Sequence, residues 1–252
     1  MVYDPVKTHL RLERYVVRGD LRKYYRFRAD RWYGGIATAD CVGCGLFCKF
    51  CWVSDKVRMN PSKVGGFYRP GEVAERLLTL AMKKGTDQVR LSGGEPTIGK
   101  SHLLKLLEEL DGKGCKFILE TNGIMIGFDE DYAAKLSKYG FIHVRVSLKG
   151  CNESEFQMLT GADPDGFKLQ LKALKNLVRA GVSCHPSVMT SFSSDESFKE
   201  LLERLAEIDE SLVDEVEIEE LILYPHVVER LRKYGLSYRI AHTPDRVPPD
   251  QI

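Results

Sequence analysis

The chain has 252 residues, 43% of them apolar and 29% charged, and its 37 basic and 36 acidic side chains leave a formal charge of +1. That content can bury a full core as one domain, and the near-neutral balance argues against generic electrostatic capture of nucleic acid. No run approaches the eighteen or so apolar residues of a membrane span, and Met1-Val2-Tyr3-Asp4-Pro5 lacks the layout of a secretion signal, so a soluble, cytoplasmic chain with reduced thiols and no membrane partner is expected.

Residues 1–31 hold nine basic residues against four acidic ones, a net of +5, together with Tyr15, Tyr24 and Tyr25. They read as a basic N-terminal extension, either solvated and packed over the end of the core or touching phosphates and bases. Residues 32–40 (WYGGIATAD) read as a first buried strand whose glycines permit close backbone approach. Helix 71–84 follows, with an apolar stripe at Val73, Leu77, Leu78, Leu80 and Ala81 and Gly85 as its stop. Strands are then expected at 88–92, 116–121, 141–147, 183–189 and 215–223. Helices at 101–110, 129–138, 165–180 and 197–208 separate them. Strands alternating with helices require a parallel α/β sheet with right-handed crossovers, and six such units fall short of the eight that close a barrel. The expected fold is an open, partial (β/α)6 barrel over residues 32–230, with a C-terminal extension at 231–252 whose proline-bearing end, 243–252, is irregular.

The first strand delivers Cys44-Gly-Leu-Phe-Cys48-Lys-Phe-Cys51. With seven cysteines in 252 positions, this triplet would arise by chance about 0.005 times, so coincidence is set aside. Three thiolates hold three irons of a cubane and leave one corner free for a small molecule. Adding Cys41 would give a four-thiol zinc set, but zinc sites normally separate their pairs by a dozen or more residues. An odd cysteine count argues against a disulfide scaffold. Cys41 reads as a spectator, and Cys115, Cys151 and Cys184 as small buried hydrophobes. An iron-sulfur electron carrier or redox sensor remains the rival from another class.

The spacing of Cys44, Cys48 and Cys51, with the aromatic Phe50 before the last cysteine, resembles the radical S-adenosylmethionine (SAM) superfamily. That resemblance implies a [4Fe–4S] cluster on the three cysteines and SAM on its open iron. It further implies reductive cleavage to a 5′-deoxyadenosyl radical, hydrogen abstraction from a substrate, and ferredoxin or flavodoxin as electron donor. Leu91-Ser92-Gly93-Gly94-Glu95-Pro96-Thr97 is similar to the family's motif for the SAM amino group, with Gly93, Gly94 and Glu95 as its core. Glu120-Thr121-Asn122-Gly123 and Ser147-Leu148-Lys149 resemble motifs of glycyl-radical activating enzymes, which implies SAM contacts at Thr121, Asn122, Ser147 and Lys149 and a protein substrate. The chain departs from that pattern at Ser147, where an aspartate is expected, and at Ser187, where an arginine is expected. Leu223-Tyr224-Pro225-His226 resembles a family motif in which His226 would reach the adenosine. Cys51-Trp52 is similar instead to wyosine-forming enzymes, which implies tRNA as the alternative substrate.

Overall fold

The computed structural model describes residues 2–251. Helix α1 (Pro5–Val16) is started by Asp4, whose carboxylate accepts the Lys7 N–H, and by Pro5 in its first turn. Strands β1 (Val17–Arg18) and β2 (Leu21–Asp30) form an antiparallel hairpin, and β2 lies antiparallel beside β3 (Ile36–Cys41). Trp32–Gly34 make a 3-10 turn with Tyr33 at φ 55°, so the first core strand begins at Ile36 rather than at residue 32. Beyond the cysteine loop come α2 (Asp55–Arg58) and β4 (Gly66–Tyr68), which pairs with β2.

Regular alternation then sets in: α3 (Pro70–Lys84), β5 (Gln88–Gly93), α4 (Lys100–Leu110), β6 (Lys116–Thr121), α5 (Ile124–Phe128), α6 (Asp131–Leu136) and β7 (Ile142–Leu148). It continues through α7 (Glu153–Thr160), α8 (Asp165–Arg179), β8 (Cys184–Met189), α9 (Asp195–Ala206), α10 (Ser211–Asp214) and β9 (Glu217–Glu219). Strands β3, β5, β6, β7, β8 and β9 pair in that order and all in parallel. The sheet ends at β9 while β2 occupies the outer edge of β3, which gives the open six-unit barrel expected from the alternation.

Three expectations change. The helix expected at 129–138 shortens to α6 (Asp131–Leu136), and α5 (Ile124–Phe128) precedes it, with Asp129 accepting the Asp131 N–H at the turn between them. The strand at 215–223 splits: β9 stays in the sheet, whereas β10 (Leu221–Ile222) pairs with β11 (Ala241–His242) across α11 (Pro225–Tyr234), the Leu221 N–H having turned to the Ser191 hydroxyl. The basic segment, expected as an extension either solvated over the end of the core or touching phosphates and bases, joins the sheet through β2. Arg22 is 1% exposed and donates to the carbonyls of Val16, Lys23 and Glu95, while Arg26 and Arg28 pair with Asp40. At the C-terminus, Gln251 bonds Glu220 N and Ile218 O; Met1 and Ile252 lie outside the described residues. No helix among those residues is long and apolar enough to cross a membrane.

The sheet has two unlike faces, because side chains alternate along each strand. Val89, Leu91, Phe117, Leu119, Val144, Val146, Leu148 and Val188 point outward and are buried in one core with Leu77, Leu103, Leu106, Leu107, Leu174 and Leu177 of the helices. The inner face is charged. Arg90 bridges Asp30 and Glu120, and Arg145 bridges Glu217 and Glu219, with His143 and His185 stacked beneath. Each inner arginine is shared between two carboxylates, so removing one deprives two anions at once: without Arg145, Glu217 keeps only His185 and Glu219 loses its guanidinium.

Burial alone would raise the Glu217 carboxyl, but hydrogen bonds from Arg145 and His185 outweigh it and hold its pKa at about 2. A depressed folded pKa means this stabilisation is present above the ordinary value of 4.5 and is lost as pH falls toward 2. Arg145→Leu is therefore expected to lower stability by about 3–5 kcal/mol at pH 7. Urea unfolding at a series of pH values should find the deficit shrinking below pH 4.5.

Candidate active site

The cysteine loop leaves the C-terminal end of β3 and lies against the loop that leaves β5. Their backbones touch directly: the Gly94 N–H donates to Cys41 O at 2.8 Å and the Glu95 N–H to Gly43 O at 2.7 Å. A Cβ on Gly94 would stand 2.4 Å from Gly43 O and 2.7 Å from Cys41 O, so only glycine lets the loops meet. Gly93 adopts φ 85°, and a Cβ there would meet Asp40 and Tyr25.

Loss of hydration pushes the Cys48 thiol up to about 11 and Cys44 higher still; Lys149 and Arg58 pull Cys48 back. Glu95, Cys48 and Cys51 add to the rise at Cys44, and Cys51 adds to that at Cys48. Cys41 is turned away, its thiol donating to Ser92 O at 3.2 Å. Among the described residues, no three His, Cys, Asp or Glu side chains converge as a single metal ion requires. A cubane distributes its thiolates over separate iron corners and suits three soft donors in a loop.

Other sequence-predicted residues gather around this loop. Glu95 is 1% exposed; its Oε1 accepts from the Thr97 N–H and from the hydroxyls of Thr97 and Thr121, and its Oε2 from the Asn122 N–H. The carboxylate is thus committed to joining loop ends. Asn122 reaches Cys44 Sγ with its Nδ2 at 3.6 Å. Lys149 lies 5.9 Å from the centre of the Phe50 ring and donates to Ser147 Oγ, which in turn donates to Glu219 at 3.2 Å. His226 approaches from α11 and donates from Nε2 to the Trp52 carbonyl at 2.7 Å, one residue past Cys51. Ser187 is fully buried on the inner face, and its hydroxyl has no partner among the described residues.

Two arginines had no signal in the sequence. Arg58 donates to Cys48 O at 2.7 Å, and Arg230, 4% exposed, donates to Cys51 O at 2.7 Å and pairs with Asp55. They bring positive charge to the carbonyl side of two of the three cysteines, one from α2 just after the loop and one from a helix nearly 180 residues away. Gly94→Ala should push the two loops apart, and iron per chain after anaerobic reconstitution is expected to fall at least about fivefold, since a 2.4 Å contact with backbone cannot be absorbed by a side-chain rotation.

The radical SAM superfamily profile matches residues 40–205, from the end of β3 into α9. A probable GTP 3′,8-cyclase from Methanococcus vannielii is 30% identical over 126 residues, covering 50% of this chain and 39% of that one. A GTP 3′,8-cyclase from Marinobacter nauticus is 25% identical over 182 residues, covering 71% and 52%. The chain thus spans about half or less of these curated relatives. Among solved structures, Streptococcus suis SuiB bound to S-adenosylmethionine aligns with a TM-score of 0.56 at 20% identity over 82% of this chain and 45% of that one. TYW1 with a lysine-pyruvate adduct bound aligns with a TM-score of 0.53 at 15% identity, over 93% and 90%. These structural likenesses are of fold. With the profile covering most of the sheet and both loops that meet at Gly94, the chain belongs to the radical SAM superfamily, whose cofactors are a [4Fe–4S] cluster and S-adenosylmethionine.

Proposed function

We propose that Cys44, Cys48 and Cys51 hold the cluster, that Phe50, Gly93, Gly94, Lys149, Ser147 and His226 border the SAM pocket, and that Glu95, Thr121 and Asn122 hold its loops in place. The observation that carries this reading is the backbone-to-backbone junction between the loop of Cys44, Cys48 and Cys51 and the glycine pair. When bound, cluster and SAM supply a one-electron reductive cleavage that yields a 5′-deoxyadenosyl radical for hydrogen abstraction. The chain's own part is to bind, orient and exclude water. The Lys149 ammonium, beside Cys48 and over the Phe50 ring, suits the methionine carboxylate. The arginine-carboxylate lattice of the inner face offers fixed polar contacts to a substrate without a mobile charge. A ferredoxin or flavodoxin would supply the electron.

For the substrate, the surface of α1 favours RNA over a protein glycyl-radical acceptor. Lys7, Arg11 and Arg14 recur at helical spacing and are exposed, with Tyr15 50% exposed among them and Arg18 exposed on the adjoining β1. Beside the cysteine loop, Trp52 is 40% exposed with the guanidiniums of Arg26 and Arg28 over its ring at 5.6 and 5.8 Å, a surface suited to stacking a base. The protein-substrate reading rests on Thr121, Asn122 and Lys149, without the charged residues expected at 147 and 187.

Anaerobic turnover of the reconstituted enzyme with dithionite and SAM should yield 5′-deoxyadenosine and methionine, and Cys48→Ser should reduce both at least about a hundredfold. A fully loaded wild-type protein that yields neither would be an electron carrier or sensor. Binding of tRNA should weaken with salt, and the double variant Arg11→Glu, Arg14→Glu should flatten the log–log slope by about 1.4, at roughly 0.7 per lost phosphate contact. Salt-independent binding would count against RNA.

A further inference from the structure

The loop that carries the three cysteines is also held from outside the segment matched by the family profile, by residues 3–9. Two backbone N–H groups between Cys44 and Cys48 are satisfied there. Phe47 N–H donates to the Tyr3 hydroxyl at 2.9 Å, and Gly45 N–H to His9 Nε2 at 3.3 Å. The Tyr3 hydroxyl hydrogen is directed to Thr160 O at 3.3 Å, which leaves its oxygen free to accept, and the Tyr3 ring lies 5.2 Å from that of Phe47. His9 is 1% exposed on the inner side of α1, and a Cβ on Gly45 would fall 2.2 Å from its ring.

The hydrogen-bond partners fix the His9 tautomer. Its Nδ1 faces Pro5 O at 2.6 Å, a carbonyl that can only accept, so Nδ1 carries the proton and Nε2 presents a lone pair. That lone pair takes the Gly45 N–H and one N–H of Asn122 at 3.1 Å. The Asn122 amide is fixed from its other end as well, because Oδ1 accepts the Ile124 N–H at 3.0 Å. With both ends held, the amide NH2 remains on the side of Cys44 Sγ, 3.6 Å away.

We infer that His9 is a positioning residue for the cluster: through Gly45 it sets the ligand loop, and through Asn122 it keeps an N–H donor aimed at the Cys44 sulfur. This rests on the assignment of Cys44, Cys48 and Cys51 as cluster ligands. A hydrogen bond to a ligating sulfur stabilises the added electron and raises the reduction potential, and outer residues that orient such donors alter metal retention as well. The N-terminal helix thereby contributes both to holding the metal and to setting how readily it is reduced.

The test compares His9→Leu, His9→Gln and Tyr3→Phe with wild type as full-length, anaerobically reconstituted proteins. Two readouts independent of turnover are used: the midpoint potential from an EPR-monitored redox titration, and the rate of iron loss to a chelator. His9→Leu removes the acceptor and should make reduction about tenfold less favourable, a shift of about 59 mV for a one-electron couple, with iron lost about tenfold faster. His9→Gln, whose amide oxygen can replace Nε2, should stay within about twofold of wild type on both. A His9→Leu protein with wild-type potential and iron loss overturns the inference. If that variant does not fold, Tyr3→Phe decides: it keeps the ring and drops the acceptor for Phe47, so unchanged iron loss overturns the positioning role. A Cys48→Ser protein that takes up the full iron complement would instead overturn the ligand assignment beneath it.

Discussion

A buried carboxylate, Glu95, ties the strand ends together. Its oxygens take donors from Thr97, Thr121 and Asn122, its N–H bonds the cysteine loop at Gly43, and its carbonyl accepts from Arg22 of β2. One residue therefore joins β2 and the loops after β3, β5 and β6. A carboxylate is well suited to this, because as an ion it accepts on both oxygens and its charge strengthens each bond. Its committed geometry also means that the Gly-Gly-Glu turn acts on the site largely through backbone contacts. The cysteine loop has no regular secondary structure of its own, and its shape comes from what grips it: Gly94 and Glu95 on one side, Arg58 and Arg230 on the carbonyls of Cys48 and Cys51, and α1 on the amides between the first two cysteines.

The inner face shows how a barrel can be both polar and ordered. Arg90 and Arg145 are nearly buried, yet each is divided between two carboxylates, and Thr38 takes the remaining Arg90 Nε–H. Few donors there lack a partner, so a molecule entering the barrel would meet a lining that is already balanced and does not need to reorganise. Ser187 is an exception: where a resembling family carries a charge, this chain has a small hydroxyl with nothing to bind among the described residues.

Much of this was legible in the sequence because the signals were local. Cysteine spacing, adjacent glycines after a strand and the 3.6-residue stripe of α3 each depend on residues within a turn or two of one another. The segment before residue 32 reads as an extension rather than as part of the sheet because its charges follow no simple alternation. The register of β2 shifts between Tyr24 and Arg26, so inward arginines and outward aromatics do not keep a strict period of two. Arg58 and Arg230 were invisible for a different reason: an arginine bonding a carbonyl leaves no pattern in composition, and only the closed fold brings residue 230 to Cys51. His9 likewise reads as one histidine on an amphipathic helix until Pro5, Gly45 and Asn122 are seen around it.

The stacking of Gly45 on the His9 imidazole bears on how the two positions evolve. The ring occupies the volume that any side chain at 45 would need, and it also supplies the partner for that glycine's amide. Neither can drift alone: a lineage that trades the imidazole for something smaller gains freedom at 45 but must find another acceptor for its N–H. Among relatives that keep the opening helix, histidine at the one site and glycine at the other should be inherited or lost as a pair.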